Sequence, residues 1–321
     1  MFKSKLKKLT ISGLMIPLGV LIPFFAFHSL GVLPGSIFLP MHIPVLLCGF
    51  FCGPLFGAIC GFVLPYLNSL LIGMPLMYPN AVVISCELLT YGLMSGFLYK
   101  HFHFSNKLRY IYPTLVISLI SGRIVYGAVA ALLMFFNPSV SKLSVITATV
   151  TGLPGIAVQL ILIPKILLAV HNSIAKSSNA KSSAVRMVQN NEATCVVVKS
   201  GDIVSAESTK GIAYIIDLYE KQLFKDTFVA DTVIGKAASM VFSAGGVKEC
   251  YGHVMSAEAL SWLSAHGIKA SYGTLTQSIQ NRKGDGTCPM EATVADINDE
   301  KTAITLLKYK VEELRKQSIN N

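Results

Sequence analysis

Apolar residues run almost unbroken from Leu9 to Val170, and turn signals cut the run into six segments at about 9–31, 38–52, 54–72, 75–99, 108–136 and 143–170. A helix needs about 20 apolar residues to cross the hydrocarbon of a bilayer. The pattern therefore predicts a membrane all-α bundle of six helices. Lys3, Lys5, Lys7 and Lys8 precede the first segment as they would a signal peptide, but its apolar run is too long and has no small-x-small cleavage site. It reads as a retained transmembrane helix. The second segment is short and punctuated by Pro40, Pro44, Gly53 and Pro54, so a broken helix shielded by protein is expected there. Gly49, Gly53, Gly57 and Gly61 recur every four residues, a ridge on which helices approach closely.

Beyond the last apolar segment the pattern changes. His171 to Ser183 is a polar, Ser- and Lys-bearing stretch, read as a connector over 173–183 between a membrane domain at 1–172 and a soluble domain at 184–321. Strands are expected around Thr194–Val198 and Ile203–Ala206, with Lys199-Ser-Gly-Asp202 as their turn. Helices follow at 210–223 and 231–243, a strand at 247–255, a helix at 256–266 closed by Gly267, a short strand at 268–272, and C-terminal helices. Strands alternating with helices predict a layered α/β domain.

Charge sharpens this division. No Asp, Glu, Lys or Arg occurs from Leu9 to Cys86, and Glu87 is the only acidic residue before Lys176. A soluble surface needs roughly a quarter of its residues charged, so the first half is solvated by lipid. The net charge of +10 could suggest nucleic acid. The excess lies in the membrane half, where Lys3 to Lys8, then Lys100, Lys107 and Arg109, then Lys165, Lys176, Lys181 and Arg186 alternate by loop; these fix orientation and give no nucleic-acid partner. They put both termini and the soluble domain in the cytoplasm of a multi-pass plasma-membrane protein. Of seven cysteines, Cys48, Cys52, Cys60 and Cys86 lie in apolar spans as small buried hydrophobes. Cys195, Cys250 and Cys288 form no C-x-x-C pair, which speaks for a reducing compartment and against a disulfide framework, and no metal site is expected.

Polar groups at membrane depth mark function because burying them is costly. At 1.5 Å per residue, Glu87 lies about 18 Å from the outer face and Arg123 about 22 Å from the inner face of a core about 30 Å thick. The depths overlap. The pair is either a structural clamp between two helices or an anchor for a ligand's anionic or carbonyl group. His42, Asn68, Tyr78 and Asn80 fall nearer the outer face, with Gln159 in the sixth segment; each serves either an interhelical hydrogen bond or the wall of a small polar pocket.

Met41-His-Ile-Pro-Val-Leu-Leu-Cys-Gly-Phe50, Cys52-Gly-Pro-Leu-Phe-Gly57, Gly73-Met-Pro-Leu-Met-Tyr-Pro-Asn80, Cys86-Glu-Leu-Leu-Thr-Tyr-Gly92 and Gly152-Leu-Pro-Gly-Ile-Ala-Val-Gln159 resemble the substrate-binding S component of energy-coupling factor (ECF) vitamin transporters over about 9–170. That resemblance implies a six-helix protein that takes a vitamin-like or nucleobase-like solute from outside. It also implies partners: a transmembrane coupling protein and two ATPase subunits. The chain has no G-x-x-x-x-G-K-[ST] loop. ATP would thus be used by those partners, with no cofactor bound directly.

In the soluble half, Gly235-Lys-Ala-Ala238, Val247 to Met255, Ser256-Ala-Glu-Ala259 and Asn281-Arg-Lys-Gly-Asp-Gly-Thr-Cys-Pro-Met-Glu291 resemble an uncharacterised family of the cytidine-deaminase-like superfamily, over about 184–300. This implies a three-layer deaminase-like fold. A zinc deaminase needs H-x-E and P-C-x-x-C; neither is present. In their place stands Cys288-Pro-Met-Glu291, where Pro289 suits a first helical position and Glu291 mimics a capping box. Unpaired amides at a helix start favour a reactive thiol, so Cys288 is either a nucleophile or a plain helix-start residue. Glu291 and Lys236 could complete a catalytic site with it, and Asp285 and Arg282 with Lys236 form either an anion-binding site or a plain solvated loop. The soluble half is accordingly a non-zinc enzyme processing the solute, or a binding and regulatory module; a membrane-anchored enzyme is the rival for the whole chain.

Overall fold

The computed structural model describes residues 5–30, 39–101, 110–136, 152–209, 211–281 and 285–319. The chain forms two compact units, residues 1–170 and 171–321.

The first unit is helical: α1 (Lys5–Leu30), α2 (His42–Cys52), α3 (Pro54–Ile72), a π-helical turn (Met77–Ala81), α4 (Val82–His101), α5 (Ile111–Phe136) and α6 (Leu153–Gln189). Among the described residues five of these helices are long and apolar enough to cross a membrane, α2 being the short one. The boundary expected at Gly53 is real, while the second segment, expected to be broken, is one continuous short helix over His42–Cys52. Gly53 sits at φ 101°, where any side chain would be strained, and Pro54 opens α3 as its first residue. Glycines then set how closely the helices pack. A Cβ on Gly57 would overlap the Gly92 carbonyl, one on Gly61 the Leu88 carbonyl, and one on Gly49 the Ser95 hydroxyl. Gly53 meets nothing within 4 Å, so it belongs to the turn and not to the ridge. Leu46, Phe50, Leu64, Leu88, Tyr91, Leu115 and Ile163 fill the shared core.

The second unit holds a five-stranded mixed sheet in the order β2-β1-β3-β4-β5. Its elements are β1 (Cys195–Lys199), β2 (Asp202–Glu207), α7 (Ile212–Glu220), β3 (Phe228–Ile234), α8 (Lys236–Gly245), β4 (Glu249–Ser256), α9 (Ala257–Ala265), β5 (Lys269–Thr276), α10 (Pro289–Val294) and α11 (Glu300–Ile319). β1 runs antiparallel to β2 and β3, while β3, β4 and β5 are parallel. Because successive strand residues point to opposite faces, β1 serves two cores. Cys195 and Val197 pack with Met240, Val241, Leu263 and Leu307 on one side; Val196 and Val198 pack with Phe228, Ala230, Ala184 and Val188 on the other.

Two expectations are corrected. Residues 231–243 are not one helix: Phe228–Ile234 is the central strand, its Val229 and Ala230 fully buried, and α8 begins only after Gly235. Continuous burial on both faces is why no amphipathic alternation marks it. The stretch 173–183 is not an irregular connector but part of α6, since no Pro or Gly follows Pro164 to interrupt it and Ala184 and Val188 gain a core to bury against.

Candidate functional site

Glu87 is the centre of a buried polar group in the first unit, at 1% exposure. Its neighbours come from three helices. One turn further along α4, the Tyr91 hydroxyl donates to Glu87 Oε1 at 2.7 Å, as i to i+4 spacing dictates. On α5, Arg123 Nη1 lies 3.3 Å from the same oxygen. At the first residue of α2, His42 Nε2 approaches Oε2 at 3.8 Å, its ring 5.5 Å from that of Tyr91. Arg123 also sits over the Tyr126 ring at 5.8 Å. Gly122 makes the arrangement possible, because a Cβ there would strike the Tyr91 ring.

The group is incompletely satisfied. Both ring nitrogens of His42 and Nε and Nη2 of Arg123 are buried without a hydrogen-bond partner among the described residues; so, on α6 and α3, are both amide atoms of Gln159 and Oδ1 of Asn68, which stand outside the contacts around Glu87. Asn68 is half used: its Nδ2 donates to the Gly19 carbonyl at 3.1 Å and the Leu64 carbonyl at 3.0 Å, tying α3 to α1. Buried polar atoms are nearly always paired, and each one left unpaired costs about 1–3 kcal/mol. Unpaired buried polar atoms on helices that otherwise pack tightly single out His42 and Arg123, beside Glu87, as the candidate site of this unit.

The spacing argument put Glu87 and Arg123 at one depth, and they are in contact; His42, expected nearer the outer face, approaches the same carboxylate. Tyr78 and Asn80 are exposed on the turn Met77–Ala81 and take no part in the contacts around Glu87. Tyr91 and Tyr126 were not singled out by the sequence. The usable signal was their spacing, four residues after Glu87 and three after Arg123, which puts each on the face of its charged neighbour.

In the second unit, Cys288 is the N-cap of α10 and makes no side-chain capping bond. Glu291 does not reach back to it as a capping box would. Its carboxylate instead accepts from the amides of Lys236 at 2.7 Å and Ala237 at 3.0 Å, capping α8 from outside. Burial pushes the Glu291 carboxyl above the ordinary range, against the pull of those two amides. Lys236 Nζ donates to the Ala295 carbonyl. Asp285 accepts from Asn281 Nδ2 at 2.7 Å, and Arg282 lies outside the described residues. Among the described residues no cluster of His, Cys, Asp and Glu could hold a metal.

A bundle of apolar helices around a buried polar centre defines a membrane-embedded class of protein. The family described as ECF transporter, substrate-specific component, matches residues 7–168, half of the chain, and the protein belongs to that family. A second family, a domain of unknown function (DUF1893), matches residues 183–311. A crystal structure of a DUF1893 family protein from Thermotoga maritima is 22% identical, covers 41% of this chain and 90% of its own, and superposes with a TM-score of 0.38. A search of curated proteins returned no match.

Proposed function

We propose that the membrane unit binds a small vitamin-like solute at the Glu87–Arg123 centre and delivers it as the substrate-specific part of an ECF-type transporter. The carrying observation is the set of buried, unpartnered atoms on His42 and Arg123 around Glu87, which a polar solute would satisfy. A clamp between α4 and α5 alone would use the Glu87–Arg123 contact and leave those atoms wasted. Family membership supports partnership with a coupling protein and two ATPases, which would supply the energy this chain has no nucleotide loop to harvest. In the second unit Glu291 and Lys236 are both engaged with backbone groups, which narrows a catalytic reading there to Cys288 and favours a binding or regulatory role.

The test is the solute that co-purifies. Purified from cells in detergent, the wild-type chain should release a small molecule on denaturation that is lost from Arg123→Ala and Glu87→Gln. Removing one partner of a buried pair costs about 3–5 kcal/mol, so retention should fall by orders of magnitude. Normal retention by both variants would overturn the proposal.

A further inference from the structure

Arg123 shows one edge of its guanidinium unused. Nη1 faces Glu87 Oε1 at 3.3 Å, whereas Nε and Nη2 are buried with no hydrogen-bond partner among the described residues. These two atoms share one side of the planar group, so their N–H bonds project in parallel as a fork. A parallel pair of charged donors is matched by two coplanar acceptors about as far apart as the oxygens of a carboxylate.

Glu87 is not the group that fills this need, since it is already served from other directions. Tyr91 Oη donates to its Oε1, and Arg123 meets that oxygen only through Nη1, away from the Nε–Nη2 edge. Arg123 can therefore face a second anion without stripping Glu87 of partners. A phosphate fits less well. It brings nearly two negative charges, and Arg123 is the single fixed cation in the group.

We propose that the solute carries a carboxylate, held side-on by Arg123 Nε and Nη2, with the His42 ring reading its uncharged part. This rests on the solute-binding reading of the same centre. His42 is 2% exposed on α2 and stands beside Glu87 and Tyr91, so it is shielded from competing water. A neutral imidazole offers a donor and an acceptor, which suits an amide, ureido or hydroxyl group beside the carboxylate.

The experiment offers wild-type protein an equimolar mixture of acids and their neutral counterparts: nicotinic acid with nicotinamide, biotin with biotinamide, and pantothenic acid with its alcohol. A small-molecule extract of the expressing cells is added. Compounds retained after gel filtration are released by denaturation and identified by mass spectrometry, where a carboxylate loses CO2. Arg123→Lys keeps the charge but not the fork, and Arg123→Gln removes both; thermal unfolding confirms that each variant is folded.

The retained compound should be a carboxylic acid, favoured about 10- to 100-fold over any neutral counterpart, and retention should fall at least about tenfold in Arg123→Lys. A retained neutral compound, phosphate ester or lipid that Arg123→Gln loses overturns the carboxylate and leaves the solute site standing. A carboxylic acid held equally by both variants overturns the assignment to Arg123. If the folded wild-type chain retains nothing, the carboxylate and the solute site fall together.

Discussion

Single charged residues in apolar surroundings were the most readable part of this chain. Glu87 and Arg123 stand out because nothing near them in sequence competes for their charge, and helix rise alone brought them to one depth. Tyr91 escaped notice because an aromatic residue on a membrane helix looks like core until its hydroxyl is placed beside a carboxylate. Asp231 was placed on a helix and lies instead in the strand β3, opposite Cys195 in the sheet register. Burial raises its carboxyl to about 6, more than the amide of Val233 bonded to its Oδ1 offsets. The folded state then holds a proton that the unfolded chain, titrating near 3.9, has already lost. Stability should be full below about pH 4 and decline as pH rises to about 6, by about 3 kcal/mol. Asp231→Asn should abolish that decline and raise the unfolding midpoint at pH 7, as followed by denaturant unfolding across pH; an unchanged pH profile would show that this carboxyl is not the titrating group.

At the scale of elements, turn signals were read well and buried strands poorly. The β1–β2 hairpin declared itself through Lys199-Ser-Gly-Asp202, with Ser200 at φ 53° and Gly201 at φ 89°. β3 gave no alternation because both its faces are covered, and the polar part of α6 concealed a stripe of Ala180, Ala184 and Val188 that makes sense only against a sheet. The start of α8 is another long-range contact, capped by a glutamate 54 residues further along the chain than Ala237. Gly235 leaves the space for that carboxylate, which a Cβ there would overlap. Gly235→Ala and Glu291→Ala should therefore destabilise the second unit alike, each by about 1–2 kcal/mol. Their double variant should lose little more than either alone; additive losses in chemical unfolding would separate the two effects.

For the whole molecule, the alternation of cations by loop predicts one orientation in the bilayer, with the second unit in the cytoplasm. A Lys176→Cys variant with the other cysteines removed should resist a membrane-impermeant maleimide in intact cells and react once the cells are opened. Labelling from outside would reverse the orientation. Composition announced a lipid-solvated half and a water-solvated half, while the buried polar centre around Glu87 had to be seen in three dimensions.

The backbone contact between α3 and α4 also restricts how a solute can arrive. Gly57 and Gly92 touch main chain to main chain, so neither helix can slide or rotate without collision. Glu87 and Tyr91 are thus mounted on a stationary frame, and a solute bound as proposed would enter by displacement of the parts bearing His42 or Arg123. We expect amide hydrogen exchange along Gly57–Leu64 and Leu88–Gly96 to be slow with or without solute, and exchange in α5 to slow when solute binds. Equal protection changes in both regions would mean that the frame itself opens.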